Sequence, residues 1–134
     1  MITVDIDKNS GFCAGVIRAI GKAEEFLDSA KADKLYSLGA IVHNDAELSR
    51  LVEKGLVTID KEDLDEMVEA QGESLLIRAH GEPPATYLQA EALGFQIIDC
   101  TCPVVLQLQK DIKTAHLKQI ENGSGQIIIF GKPG

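Results

Sequence analysis

At 134 residues, with 45% hydrophobic and 25% charged side chains, the chain has the size and composition of about one globular domain. Its 21 acidic residues against 13 basic ones leave a formal charge of −8, which argues against nucleic acid and anionic membrane surfaces as partners. No run approaches the roughly 20 apolar residues needed to cross a bilayer, and the start MITVDIDKNSG lacks the basic and apolar regions of a signal peptide, so a cytoplasmic location is expected.

In chain order, residues 2–6 alternate apolar and polar and predict a strand, followed by a turn-rich segment over 7–11. Val16, Ile17, Ile20, Ala23, Leu27 and Ala30 recur at helical spacing. Residues 34–38 predict a second strand ending at Gly39. Asn44 is placed to cap a helix running to about Lys54, which Gly55 stops. A short strand over 56–59 and a helix over 64–68 follow. Residues 74–78 predict a strand, 84–93 a helix closed by Gly94, and 95–99 another strand. Pro103 sits where a helix would begin, and that helix runs to about Glu121. Asn122, Gly123, Ser124 and Gly125 break it before a last apolar strand over 126–130. Alternating strands and helices predict an α/β fold: a single three-layer domain with a parallel or mostly parallel sheet and helices on both faces. Strand order is not readable at this level.

Four chemically capable side chains fall at equivalent places. Cys13 follows the first predicted strand, in GFCAG. His43 follows the second, in GAIVHN. His80 follows the strand over 74–78, in RAHGEPP, and Cys102 follows the strand over 95–99, in DCTCP. In an open parallel sheet the carboxyl ends of strands lie along one edge, where ligands bind. Two thiols and two imidazoles are therefore expected to converge there.

Each has a simpler alternative. A lone cysteine is more often a small packed hydrophobe than a ligand. Cys13 and Cys102 depart from that pattern because each just precedes a helix, whose N-terminus favours the thiolate that binds iron. Cys100 lies at the strand end and reads as packing. His43 and His80 could be hydrogen-bonded structural histidines, but their loop positions suit contact with a phosphate group. His116, mid-helix, packs or faces solvent. An odd count of three cysteines fits a disulfide framework poorly.

Several motifs fail on spacing. Cys13 and Arg18 are one residue too close for a thiol-phosphatase loop. Gly131 and Lys132 lack the rest of a P-loop. Cys100 and Cys102 lack the two-residue gap of a thioredoxin-type pair, and no second pair supports a zinc ribbon.

The four blocks GFCAGVIRAI, LGAIVHN, RAHGEPP and DCTCPVV, in this order, resemble the LytB/IspH family of 4-hydroxy-3-methylbut-2-enyl diphosphate reductases, and the resemblance covers essentially the whole chain. It implies an oxidoreductase of the non-mevalonate isoprenoid pathway, which removes the hydroxyl of an allylic diphosphate to give isopentenyl and dimethylallyl diphosphates. It implies three similar α/β domains around a 4Fe-4S cluster, and ferredoxin or flavodoxin as electron donor. Carried over by motif, Cys13 and Cys102 match two cluster cysteines, and His43 and His80 match histidines that bind the substrate diphosphate. The chain departs from the family pattern where it stops, at FGKPG. The histidine and glutamate that follow there in the family, the third cluster cysteine, and later Ser, Thr and Asn contacts are not in this sequence. Residues 1–134 are accordingly expected to be the N-terminal α/β domain of a larger reductase, with its C-terminal domains elsewhere, and to be inactive alone. The alternative is a non-enzymatic anion- or metal-binding α/β module.

Overall fold

The computed structural model describes residues 2–7, 10–29 and 34–131. Ala30, predicted on the first helix, lies outside the described residues, as do Lys8 and Asn9 of the first turn and the final residues 132–134. The chain divides into two compact units, 1–102 and 103–134.

The first unit holds α1 (Ala14–Leu27), β1 (Leu35–Leu38), α2 (Asp45–Glu53), β2 (Leu56–Ile59), α3 (Lys61–Glu66), β3 (Ser74–Ile77), α4 (Pro84–Leu93) and β4 (Gln96–Asp99). The strands form one parallel sheet in the order β2-β1-β3-β4. Successive side chains on a strand point to opposite faces, and the core divides accordingly. Leu35, Leu56 and Leu76 pack with Ala19, Ile20 and Ala23 of α1 and Leu51 of α2. On the other face Leu38, Ile59, Leu75 and Ile77 pack with Leu64 of α3 and Ala90 of α4. Helices therefore cover both faces of a parallel sheet, as the alternating pattern predicts.

Local chemistry sets the helix ends. The Asn44 side chain accepts from the Glu47 N–H at 2.9 Å and starts α2. Gly94 adopts a left-handed conformation, φ 93°, and closes α4. The α3 helix lies earlier than the predicted 64–68. Asp60 and Asp63 form a reciprocal cap, at 2.8 and 2.9 Å, which begins it at Lys61. Lys54 joins Asp28 at 2.8 Å, and Arg50 reaches Glu24, so α1 and α2 are tied together on one face.

Two predicted strands are not formed among the described residues. Residues 2–6 form no strand and pair with nothing among the described residues, and Ile2, Val4 and Ile6 are exposed. Alternation defines an apolar face; a strand also needs a neighbour to take its N–H and C=O groups. The second unit contains α5 (Pro103–Asn122), and residues 126–130 after it are likewise unpaired, with Ile128 and Phe130 exposed.

Candidate functional site

The strand order places the change of direction between β1 and β3. From β1 the chain steps outward to β2, then crosses back to β3 on the other side. At such a switch point the loops after the two strands diverge and leave a crevice outside their carboxyl ends. His43 lies in the loop after β1 and His80 in the loop after β3. Cys102 follows β4, the neighbour of β3, so three of the four predicted residues enter from this edge.

Each loop has its own fixing. After β1, the buried Ser37 hydroxyl donates to the Gly39 carbonyl at 2.8 Å, and the Gly39 N–H donates to Ile59. After β3, the Gly81 N–H returns to the Arg78 carbonyl at 3.0 Å, closing a turn that leaves His80 at an exposed corner. After β4, the Cys100 N–H donates to Ile77 at 2.9 Å and the Cys102 N–H to Ala79 at 2.8 Å, extending the pairing past the strand ends. Between them, both the N–H and hydroxyl of buried Thr101 donate to Asp99. The Tyr87 hydroxyl lies 3.2 Å from the Thr101 hydroxyl.

Cys13 is the N-cap residue of α1, in extended conformation and exposed. The predicted strand before it is not formed, so its position comes from α1 alone. That helix is anchored to the Cys102 loop: Arg18 donates through Nη2 to the Thr101 carbonyl at 2.8 Å. Gly15, in the first turn, is close enough that a Cβ there would lie 3.2 Å from Cys102 Sγ and 3.6 Å from the Ala79 Cβ. The first turn of α1, the start of the His80 turn and the Cys102 loop therefore meet. His43 shares the edge through strand order.

Cys100 is fully buried, and burial pushes its thiol upward against the opposing pull of Arg18 and Lys22, so it stays protonated at neutral pH. It packs with the α1 face of the core, as the sequence suggests. His116 is exposed on α5. Among the described residues no group of three or more His, Cys, Asp or Glu side chains is arranged to hold a metal ion.

Arg78 escaped the sequence reading. Its guanidinium lies against Gly39, 2.9 Å from where a Cβ would be, and so bridges the exits of β1 and β3 at the switch point. Its Nε is buried without a hydrogen-bond partner among the described residues, with the Glu82 carboxylate 3.9 Å away. The only signal in the sequence was its place two residues before His80.

Residues 4–134 match the family model described as LytB protein. The chain belongs to the LytB family. A 4-hydroxy-3-methylbut-2-enyl diphosphate reductase of Bacteroides fragilis is 51% identical over all 134 residues, and the chain spans 44% of that relative's length. The solved structure of the E-1-hydroxy-2-methyl-but-2-enyl-4-diphosphate reductase from Plasmodium falciparum superposes with a TM-score of 0.72 at 32% identity, over 84% of this chain and 34% of the other. A second solved structure, (E)-4-hydroxy-3-methyl-but-2-enyl diphosphate reductase, the terminal enzyme of the non-mevalonate pathway, gives a TM-score of 0.65 at 34% identity over 92% of this chain and 40% of its own length. This LytB chain thus shares its α/β sheet with reductases more than twice its length. No helix among its described residues is long and apolar enough to cross a membrane.

Proposed function

We propose that this chain is the part of a 4-hydroxy-3-methylbut-2-enyl diphosphate reductase that supplies two cysteine ligands to a 4Fe-4S cluster and two imidazoles to the substrate diphosphate. The observation that carries the reading is the meeting of Gly15, Ala79 and Cys102, which draws the Cys13, His80 and Cys102 loops to one edge of the sheet. The donor set suits the group. Two thiols come from separate loops, Cys13 at the N-cap of α1 and Cys102 after β4, while Cys100 is buried in the core. The family pattern's third cluster cysteine falls outside the 44% of the relative's length that this chain spans.

When bound, the cluster supplies single electrons and a Lewis-acidic iron. The chain's own residues hold the substrate for that chemistry. His43 and His80 donate ring N–H groups to the diphosphate oxygens, and the α2 N-terminus, one residue beyond His43, adds its positive end. The Arg78 guanidinium places a fixed cation between the two loops. Holding both phosphates fixes the allylic end of the molecule and lowers the entropic cost of reaction. The reaction is the reductive removal of the hydroxyl, giving isopentenyl and dimethylallyl diphosphates, with ferredoxin or flavodoxin as cytoplasmic electron donor.

The test uses a reductase of full family length that carries this segment. Cys13→Ser and Cys102→Ser are expected to lose bound iron and turnover, whereas Cys100→Ser keeps both. His43→Ala and His80→Ala are expected to keep the iron and raise KM roughly ten- to a hundredfold, the worth of one hydrogen bond to a charged group. Wild-type iron content in both Cys13→Ser and Cys102→Ser would overturn the reading in favour of an anion-binding module without redox chemistry.

A further inference from the structure

Gly15 is the second residue of α1 and is buried. Its backbone is helical, so no positive φ calls for glycine there. In a helix glycine is less favourable than alanine by about 1 kcal/mol. Gly21, further along the same helix, has nothing within 4 Å of the place a Cβ would take, whereas at Gly15 that Cβ would lie 3.2 Å from both Cβ and Sγ of Cys102. Such contacts are tighter than normal van der Waals packing, so one partner must move.

The Cys102 backbone has little room to retreat. Its N–H is bound to the Ala79 carbonyl at 2.8 Å, and the preceding Thr101 is held at its carbonyl by Arg18 and at its N–H by Asp99, each at 2.8 Å. On the far side Ala79 Cβ would lie 3.6 Å from the added methyl. A methyl group at position 15 therefore requires a shift of a few tenths of an ångström, either of the Cys102 side chain, Cβ included, or of α1 away from the loop.

We propose that Gly15 is a positioning residue for Cys102: the missing side chain lets the thiol rest directly against the first turn of α1, on the edge that carries Cys13. The proposal rests on Cys102 being a cluster ligand for its purpose, but the steric contact stands without any metal.

The experiment separates the two. In the 134-residue chain, Gly15→Ala and the control Gly21→Ala are compared by thermal unfolding and by the alkylation rate of each cysteine, resolved by peptide mass. Gly21→Ala is expected to raise Tm by about 4 °C, as a strain-free helical substitution does, with all three thiols unchanged. Gly15→Ala is expected to lack that gain and to change the alkylation rate of Cys102 severalfold, leaving buried Cys100 as it was. Should Gly15→Ala fail to fold, Cys102→Gly in the same chain removes the opposing atoms and is expected to restore folding. Gly15→Ala with the Tm gain and thiol rates of Gly21→Ala, or a failure to fold that Cys102→Gly does not repair, overturns the proposal.

A second readout belongs to the full-length reductase. Gly15→Ala is expected to hold its iron about tenfold less tightly and to shift the electron paramagnetic resonance of the reduced cluster, a change of the size seen when groups that orient a metal ligand are lost. Unchanged iron retention and spectrum beside an altered Cys102 rate overturns the positioning role. Iron retained equally with and without Cys102 instead sinks the ligand reading on which the role rests.

Discussion

Glu47 and Arg50 stand one turn apart on α2, joined at two points, 2.9 Å from Nε and 2.6 Å from Nη2. Arg50 holds the Glu47 carboxyl below its ordinary range. A carboxylate lowered in the folded state contributes stability above its unfolded pKa and loses it as the pH falls through the folded value. Glu47→Gln is therefore expected to be less stable than the wild type at neutral pH, by the modest amount of an exposed pair. The two urea midpoints should converge as the pH drops below the carboxylate range of about 4. At this scale the sequence was informative where a residue's neighbours in the chain decide its place. Asn44, at the end of a loop and followed by an apolar-periodic run, could be read as a cap. Cys13 and Cys102 could be read as helix-leading thiols. Arg78 and Thr101 could not, because what distinguishes them are partners distant in sequence: Gly39 for one, and Arg18 and Tyr87 for the other.

Among elements, α2 carries the clearest local signal and the simplest test. Its first turn is closed by the Asn44 side chain and carries Asp45 and Glu47 toward the positive end of the helix dipole. Asn44→Ala is expected to cost about 1 kcal/mol in chemical unfolding. Each of the four paired strands could be placed to within one residue at either end, because each is a short apolar run between glycines, caps or prolines. The two unformed strands show what such patterns lack. Residues 2–6 have the alternation of a half-buried strand, and 126–130 the continuous apolar run of a buried one, yet both lie unpaired among the described residues. Hydrophobic periodicity reports which side of a strand wants shelter, and strand pairing depends on a neighbour that local sequence does not name. The α3 helix began earlier than expected because its cap is built from two aspartates, a weaker signal than the apolar spacing that follows.

Across the sheet of the first unit, β3 is central: it pairs with both β1 and β4, and its Leu75, Leu76 and Ile77 are fully buried. Leu76 faces α1 and α2 while its neighbours face α3 and α4. Leu76→Ala is expected to cost about 2–5 kcal/mol, a large share of the stability of a domain this size, read as a lower midpoint in a single cooperative urea transition. The layered α/β arrangement was legible from the alternation of elements; the order of strands was not, since every strand has the same apolar character. That order has a consequence for how the molecule comes into being. The β1–β3 pairing, which sets Tyr36 beside Leu75, joins the segments furthest apart along the chain of the three pairings in the sheet. It asks for the largest loop closure and so carries the greatest entropic delay. A partly assembled chain that lacks this pairing also lacks the crevice between those strands, and with it the common edge that the His43 and His80 loops share.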